Sequence, residues 1–289
     1  MPKLTGYFPM FVLSIIWGMA FVAIRRADFE LSPVNLTLLR WLIVSAAFLV
    51  IYRSVVKPKM KFQRQDLPRL VVVALGNVVI YHLALNTAES TVDASLAGLL
   101  ISFGPLFIVV LSAGLLHERI TTRVWLALGL AIVGAAIISS PDISFGSVAS
   151  LAPLLVVVAA LSNAVYTVAS KPLVVKYGPF PVAAWSALLG TVLLLPLVSG
   201  SLFAQAEALS PVGWSSVLYL ALLSTVLTNL IYFTQVSGGP VSRVGVQLYL
   251  VPVVSAIGGV LVLGEGIAPA TFVGGALMLI AIALATLRR

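Results

Sequence analysis

The chain has 289 residues, 61% of them hydrophobic and 9% charged, with a mean hydropathy of +1.13. A soluble domain is roughly half apolar and about a quarter charged, so this chain cannot cover a water-facing surface, and most of its exterior must meet lipid. The net charge of +8 does not point to nucleic acid: six basic residues (Arg53, Lys57, Lys59, Lys61, Arg64 and Arg69) share one loop between apolar segments, where Lys and Arg set membrane orientation. Cysteine is absent, which removes disulfides and thiolate metal sites from consideration.

In chain order, ten apolar segments are long enough to span a bilayer, a task that needs about 20 residues. They are 6–25, 33–52, 68–88, 93–116, 123–140, 148–170, 179–200, 211–234, 241–263 and 268–287. Lys3 followed by an apolar run imitates a secretory leader. The run from Tyr7 to Ile24 can itself span, however, and no small-x-small site precedes Arg25 and Arg26, so it reads as the first helix. Connections are short and carry breakers such as Ser32-Pro33, Pro141-Asp142, Gly178-Pro179, Ser210-Pro211 and Gly238-Gly239-Pro240. Barrel strands would run to about ten residues with alternating polarity; these segments are longer and uniformly apolar. The fold class expected is an all-α membrane protein.

Placing the N-terminus in the cytoplasm puts fourteen of the seventeen basic residues there. Asp28, Glu30, Glu89, Asp93, Asp142, Glu207 and Glu265 then all face outward. The asymmetry predicts ten transmembrane helices with both termini cytoplasmic, in a bacterial inner membrane.

The fourth and ninth segments share a spacing. Pro105 precedes Glu118 by thirteen residues, Pro252 precedes Glu265 by thirteen, and the shift between copies is 147 residues. Ile80-Tyr81 is echoed by Ile231-Tyr232. Two halves, 1–140 and 141–289, are therefore expected, each with five helices. Five is odd, so the second half enters the membrane inverted, as in many secondary transporters, whose substrate site lies near the midplane between repeats.

Trp17-Gly18, the set Leu100, Pro105 and Glu118, its imperfect second copy Gln247, Pro252 and Glu265, and the glycines Gly129, Gly134 and Gly274-Gly275 together resemble the drug/metabolite transporter superfamily. The resemblance is to its ten-helix type with two EamA domains, and it covers roughly 10–285. It implies an exporter of aromatic and related neutral amino acids. The second copy has Ser162-Asn163 in place of Trp-Gly, so the two halves cannot offer a ligand identical surfaces.

Polar groups inside a span are costly and usually face a cavity or a partner helix, and aromatic rings can stack on an apolar ligand. Trp17 shares a helical face with Ser14 and Phe21 and stands near the middle of its segment, as a cavity wall or a packed core residue. Asn77, Tyr81 and His82 cluster in the third segment and are expected at the cavity. Asn163 and Tyr166 share a face of the sixth segment with Ser170, and Ser102 lies just before Gly104-Pro105. Trp185 is either a cavity wall or an interfacial anchor, and Tyr249 precedes Pro252. Pro105 and Pro252, flanked by glycines, are expected hinges. Arg40 is read first as a helix lock or a snorkelling cation and second as a carboxylate receptor. Glu118 is expected to cap a helix or pair with a nearby cation.

No Asp or Glu stands in the middle of any segment. A cationic drug would lack its counter-charge, and a neutral or zwitterionic small molecule fits better. His82 and His117 fall in different parts of the topology, and neither HExxH nor GxSxG is present, so an enzyme is not expected. The expected partners are an amino-acid substrate and the bilayer, with no nucleic acid, no cofactor and no metal. Ala127, Ala131 and Ala135 form a small-residue strip suited to close helix packing, within the chain or between copies, so the sequence leaves the oligomeric state open.

Overall fold

The computed structural model describes residues 7–55, 62–90, 100–101, 103–139, 152–251, 253–254, 257 and 269–286. These residues are overwhelmingly helical. Eleven helices are numbered here in chain order: α1 (Tyr7–Ala27), α2 (Pro33–Val55), α3 (67–89), α4 (Gly104–Leu115), α5 (Thr122–Ser139), α6 (Ala152–Tyr177), α7 (Pro179–Leu194), α8 (Gly200–Ala208), α9 (211–238), α10 (Val241–Gln247) and α11 (Pro269–Thr286). Six apolar stretches of 19–28 residues are each long enough to cross a membrane: Phe8–Ala27, Pro33–Tyr52, Arg64–Glu89, Leu154–Tyr177, Pro179–Leu197 and Pro211–Gly238. Large apolar side chains such as Phe8, Leu126, Leu154, Val175, Val192 and Phe272 point outward, as lipid-facing groups do.

Helix bounds follow most of the expected segments closely; residues 93–99 of the fourth segment lie outside the described residues, the seventh helix ends at Leu194 rather than at residue 200, and there are three further departures. The sixth helix runs through Pro172 to Tyr177 rather than stopping at residue 170. Pro172 deletes one backbone bond, but Leu173, Val174 and Tyr177 beyond it are buried, and that packing outweighs the loss. The short helix α8 lies in the connection before Ser210, where the apolar pattern predicts no helix. The proline-centred second half of the ninth segment, from residue 252, falls largely outside the described residues.

Helices α3 and α9 are interrupted in the same place. Each opens with eight α-helical residues, Leu67–Ala74 and Pro211–Leu218, and then widens into a π-helical run, Leu75–Ile80 and Tyr219–Leu227. Such runs free main-chain carbonyls from the usual i−4 pairing. In each run one carbonyl accepts from a side chain of the opposite half: the Ser162 hydroxyl donates to the Gly76 carbonyl at 3.0 Å and the Trp17 indole N–H to the Ser224 carbonyl at 3.1 Å. Ser162 and Trp17 are the positions that align between the two halves.

The main core joins α2, α3, α6, α7 and α9 around Trp41, Phe48, Tyr166, Tyr232 and Phe233. Glycine permits its closest approach. A Cβ on Gly190 of α7 would stand 2.3 Å from Val78 Cβ, inside the π-helical run of α3. A second core pairs α5 with α11, where a Cβ on Gly134 would meet the Gly274 carbonyl at 2.7 Å. Ala127 and Ala131 are buried in that pair, so this part of the small-residue strip serves packing inside the chain. Ala135 lies outside the side chains described.

Polar ties join the two halves at both ends. At the acidic end, Glu30 accepts hydrogen bonds from the Ser210 amide and hydroxyl, each at 2.7 Å, while that hydroxyl caps α9 by accepting from Gly213 N–H at 3.0 Å. Asn35 donates to Gln205 at 2.8 Å and to Ser201 at 3.1 Å. At the basic end, the Glu118 carboxylate accepts from the Val241 and Ser242 amides at 2.7 and 3.1 Å, which caps the start of α10. His117 makes this possible. Its φ of 54° is left-handed, ends α4, and turns the chain so that Glu118 reaches across. Within the second half, the Lys171 ammonium donates to the Val236 and Gly239 carbonyls, both at 2.7 Å, at the end of α9.

Candidate functional site

A polar and aromatic cluster lies where α1, α2, α3, α6 and α9 converge, midway along their lengths. Trp17 stands beside Tyr232 with ring centroids 5.4 Å apart, and Tyr232 beside Tyr166 at 6.3 Å. The Trp17 indole also donates to Thr228 Oγ1 at 2.9 Å. Tyr232 is fully buried, its hydroxyl 2.7 Å from Thr167 Oγ1. Asn163 donates to the Tyr166 hydroxyl at 3.2 Å, one turn along α6.

Across the cluster, His82 is held edge-on between Trp41 (5.1 Å) and Tyr81 (5.0 Å). Its Nδ1 lies 2.8 Å from the Asn77 carbonyl, one of those in the π-helical run of α3. A carbonyl can only accept, so Nδ1 carries the proton, and in the neutral ring Nε2 remains an acceptor. Three further buried polar atoms have no partner: Asn77 Nδ2, Asn163 Oδ1 and Trp41 Nε1. Two are donors and one an acceptor. A buried polar atom left alone is costly and usually marks a place where something else binds.

The structure brings together Trp17, Asn77, Tyr81, His82, Asn163 and Tyr166, drawn from three helices and both halves. It separates two others from them. Trp185 is 39% exposed and joins an aromatic group at the basic end, with Tyr52 at 6.3 Å and Phe62 at 6.1 Å; that setting suits an interfacial anchor, because α7 places residue 185 only two turns from its basic-end start. Tyr249 is buried among Val109, Leu128 and Met278 in the α5–α11 core, away from the central rings. Pro105 stands in the first turn of α4, where a helix has no N–H bond to lose, so its ring breaks nothing in the helix interior. Ser102 and Pro252 lie outside the described residues.

Tyr232, Trp41 and Thr167 also build the walls of the site; Tyr232 belongs to the polar set of the eighth segment with Thr228 and Asn229, whereas the sequence singles out neither Trp41 nor Thr167. For Tyr232 a signal exists, in the echo of Ile80-Tyr81 by Ile231-Tyr232. Trp41 and Thr167 carry no such mark, since a tryptophan or threonine in an apolar helix is ordinary. Among the described residues no cluster of three His, Asp or Glu side chains could hold a metal ion.

The comparisons with known proteins agree with this architecture. The EamA-like transporter family matches twice, at residues 4–140 and 150–287. An uncharacterized transporter of Archaeoglobus fulgidus is 31% identical over 273 residues, 94% of this chain and 95% of that one. A probable terminal-alkyne amino-acid exporter of Streptantibioticus cattleyicolor is 33% identical over 271 residues, 92% of this chain and 88% of the other. A probable amino-acid metabolite efflux pump of Salmonella typhimurium is 25% identical, spanning 96% and 93% of the two chains. A protein of known crystal structure superposes with a TM-score of 0.76 at 21% identity, over 96% of this chain and 94% of that one, and so shares the fold. The chain therefore belongs to the EamA-like transporter family of the drug/metabolite transporter superfamily, and is a multi-pass membrane transporter rather than an enzyme.

Proposed function

We propose that the chain exports small neutral metabolites, aromatic amino acids foremost, across a bacterial inner membrane by alternating access. The site is the cluster of Trp17, Asn77, Tyr81, His82, Asn163 and Tyr166, with Tyr232 added. The two halves, 1–140 and 141–289, act as inverted five-helix repeats around it, and both termini face the cytoplasm. The observation that carries this reading is the set of unpartnered polar atoms among rings: Asn77 Nδ2, Asn163 Oδ1 and Trp41 Nε1 beside Trp17, Tyr81, Tyr166 and Tyr232. Rings offer an aromatic ligand a stacking surface, and fixed amide groups offer it directional bonds. The names of two relatives, a probable terminal-alkyne amino-acid exporter and a probable amino-acid metabolite efflux pump, support the amino-acid part of this reading.

The test is uptake of labelled amino acids into liposomes holding the purified protein, with and without a pH gradient. Accumulation of phenylalanine, tyrosine or tryptophan above that in empty liposomes is expected, reduced at least tenfold by Tyr232→Ala or Trp17→Ala. Movement of cationic dyes alone defeats the proposal.

A further inference from the structure

Arg40 is 5% exposed, a cation buried in the transmembrane region of α2. Its Nε donates to Thr225 Oγ1 at 2.8 Å and its Nη2 reaches Ser224 Oγ only at 3.5 Å, both in the π-helical run of α9. The Thr225 hydroxyl spends its proton on the Leu220 carbonyl at 2.7 Å, which leaves its lone pairs turned to Arg40. A guanidinium has five N–H donors. Hydrogen bonds to described residues use two of them, one weakly. A buried cation without a counter-ion is costly. Thr225 and Ser224 hold the guanidinium in place and do not neutralise it.

Asn86 of α3 donates to Thr37 of α2 at 2.9 Å, and three residues past Asn86 that helix ends in the carboxylate of Glu89. It is half-buried, and its Oε1 is sealed from solvent with no hydrogen-bond partner. Arg40 and Glu89 lie within each other's electrostatic reach, yet no ion pair joins these two described residues. Side chains lean toward the start of their own helix. Helix α2 starts at the acidic end and α3 finishes there, so Arg40 leans outward and Glu89 inward, toward one another. Trp41, the residue after Arg40, stands edge-on to His82 at 5.1 Å, which ties the guanidinium's turn of α2 to the aromatic cluster. Asp28 and Arg25 also lie within electrostatic reach of Glu89.

A buried cation that makes no ion pair with any described residue and a carboxylate with a lone oxygen, both at the edge of an aromatic site, match one ligand chemistry: the carboxylate and ammonium of an α-amino acid. We propose that Arg40 and Glu89 form a zwitterion clamp, Arg40 receiving the α-carboxylate and Glu89 the α-ammonium, while the side chain lies among Trp17, Tyr81 and Tyr232. A zwitterion with a charge-assisted hydrogen bond of roughly 2.8 Å at each end fits between such a separated pair and not within a closed salt bridge. The inference rests on the amino-acid reading above and names the residues that select for it.

Three probes separate the parts: L-phenylalanine, L-phenylalaninamide, which lacks the carboxylate, and 3-phenylpropionate, which lacks the ammonium. Their dissociation constants are measured by calorimetry on the full-length protein in detergent, for wild type, Arg40→Gln, Arg40→Lys and Glu89→Gln. Wild type should favour phenylalanine over each analogue by roughly 10- to 100-fold, the range of a hydrogen bond to a charged group. Arg40→Gln should bring phenylalanine down to the level of its amide, and Glu89→Gln should bring it down to that of 3-phenylpropionate. Should Arg40→Gln not fold, Arg40→Lys, which keeps the charge but loses the fork, carries the same comparison with part of the preference retained. A purely structural Arg40 would weaken all three probes alike and leave their order intact; that result, or an unchanged preference in Glu89→Gln, overturns the clamp alone. Wild-type protein that does not distinguish the three probes, or binds none, overturns the amino-acid reading and the clamp with it.

Discussion

Trp17 shows how one side chain serves two purposes. Its indole N–H is shared between the Ser224 carbonyl at 3.1 Å and Thr228 Oγ1 at 2.9 Å, while its ring faces Tyr232. Trp17→Phe keeps a ring and removes the hydrogen bonds, so thermal unfolding should report a loss of about 1–2 kcal/mol. Asp28 gives a pH signature in the loop after α1. Burial pushes its carboxyl up to about 6, and an unfolded chain titrates it near 3.9. Below about pH 4 both states hold the proton. As pH rises toward 6 the unfolded state releases it first, so the folded state loses stability across that window, and the cost is complete above it. Asp28→Asn should therefore melt with wild type at pH 4 and above it at pH 7.5; a constant difference at all pH values would contradict this. Glu30, also outside the helices, runs the other way. The Ser210 amide and hydroxyl hold its carboxyl below the usual range. Its stabilising contribution is present above the unfolded value and fades as pH falls through the lowered one. Glu30→Gln should destabilise at neutral pH and make little difference in strong acid.

At the scale of elements, the paired π-helical runs in α3 and α9 are the distinctive feature. Each starts eight residues into its helix, and each receives a side chain from the first helix of the other half. The wider turn also decides how α7 approaches. Gly190 lies against Val78, and a Cβ there would overlap it at 2.3 Å. Neither side can give, because Val78 is buried and sits in irregular backbone. Gly190→Val should cost about 1–3 kcal/mol by overpacking, read as a lower melting temperature or a loss of monodisperse protein in size-exclusion chromatography. A Cβ on Gly129 would meet nothing within 4 Å, so Gly129→Ala in α5 should be neutral or slightly stabilising in the same assay.

At the scale of the whole molecule, the halves are held together by capping and by packing more than by ion pairs. Glu118 caps α10 across the basic end, and Glu30 ties to Ser210 across the acidic end. The proposed topology has both termini on the basic side. Because the chain has no cysteine, single cysteines can report this directly. Leu4→Cys and Arg288→Cys should react with a membrane-impermeant maleimide only in inverted vesicles, and Ser199→Cys only in right-side-out ones. Labelling of the two termini from opposite sides would refute the five-plus-five arrangement.

How much of this is legible before the helices meet follows from physics that differs by level. Composition and the length of apolar runs determined the all-α membrane class, because lipid accepts only backbone that satisfies its own hydrogen bonds. The Pro–Glu spacing pointed to two repeats, since duplicated helices keep their breaks in register, and the family model matches the chain twice. Asn77, Tyr81 and His82 could be found because polar groups cluster in an otherwise apolar segment. The sequence could not say that Trp185 faces an interfacial aromatic group, that Tyr249 packs between α5 and α11, or that Trp41 and Thr167 wall the centre. Those depend on how each helix is rotated about its axis. In a helix that is apolar on every face no hydrophobic stripe records that rotation; it is fixed by contacts such as Gly190 on Val78 and Trp17 on Ser224, which exist only once the helices have met.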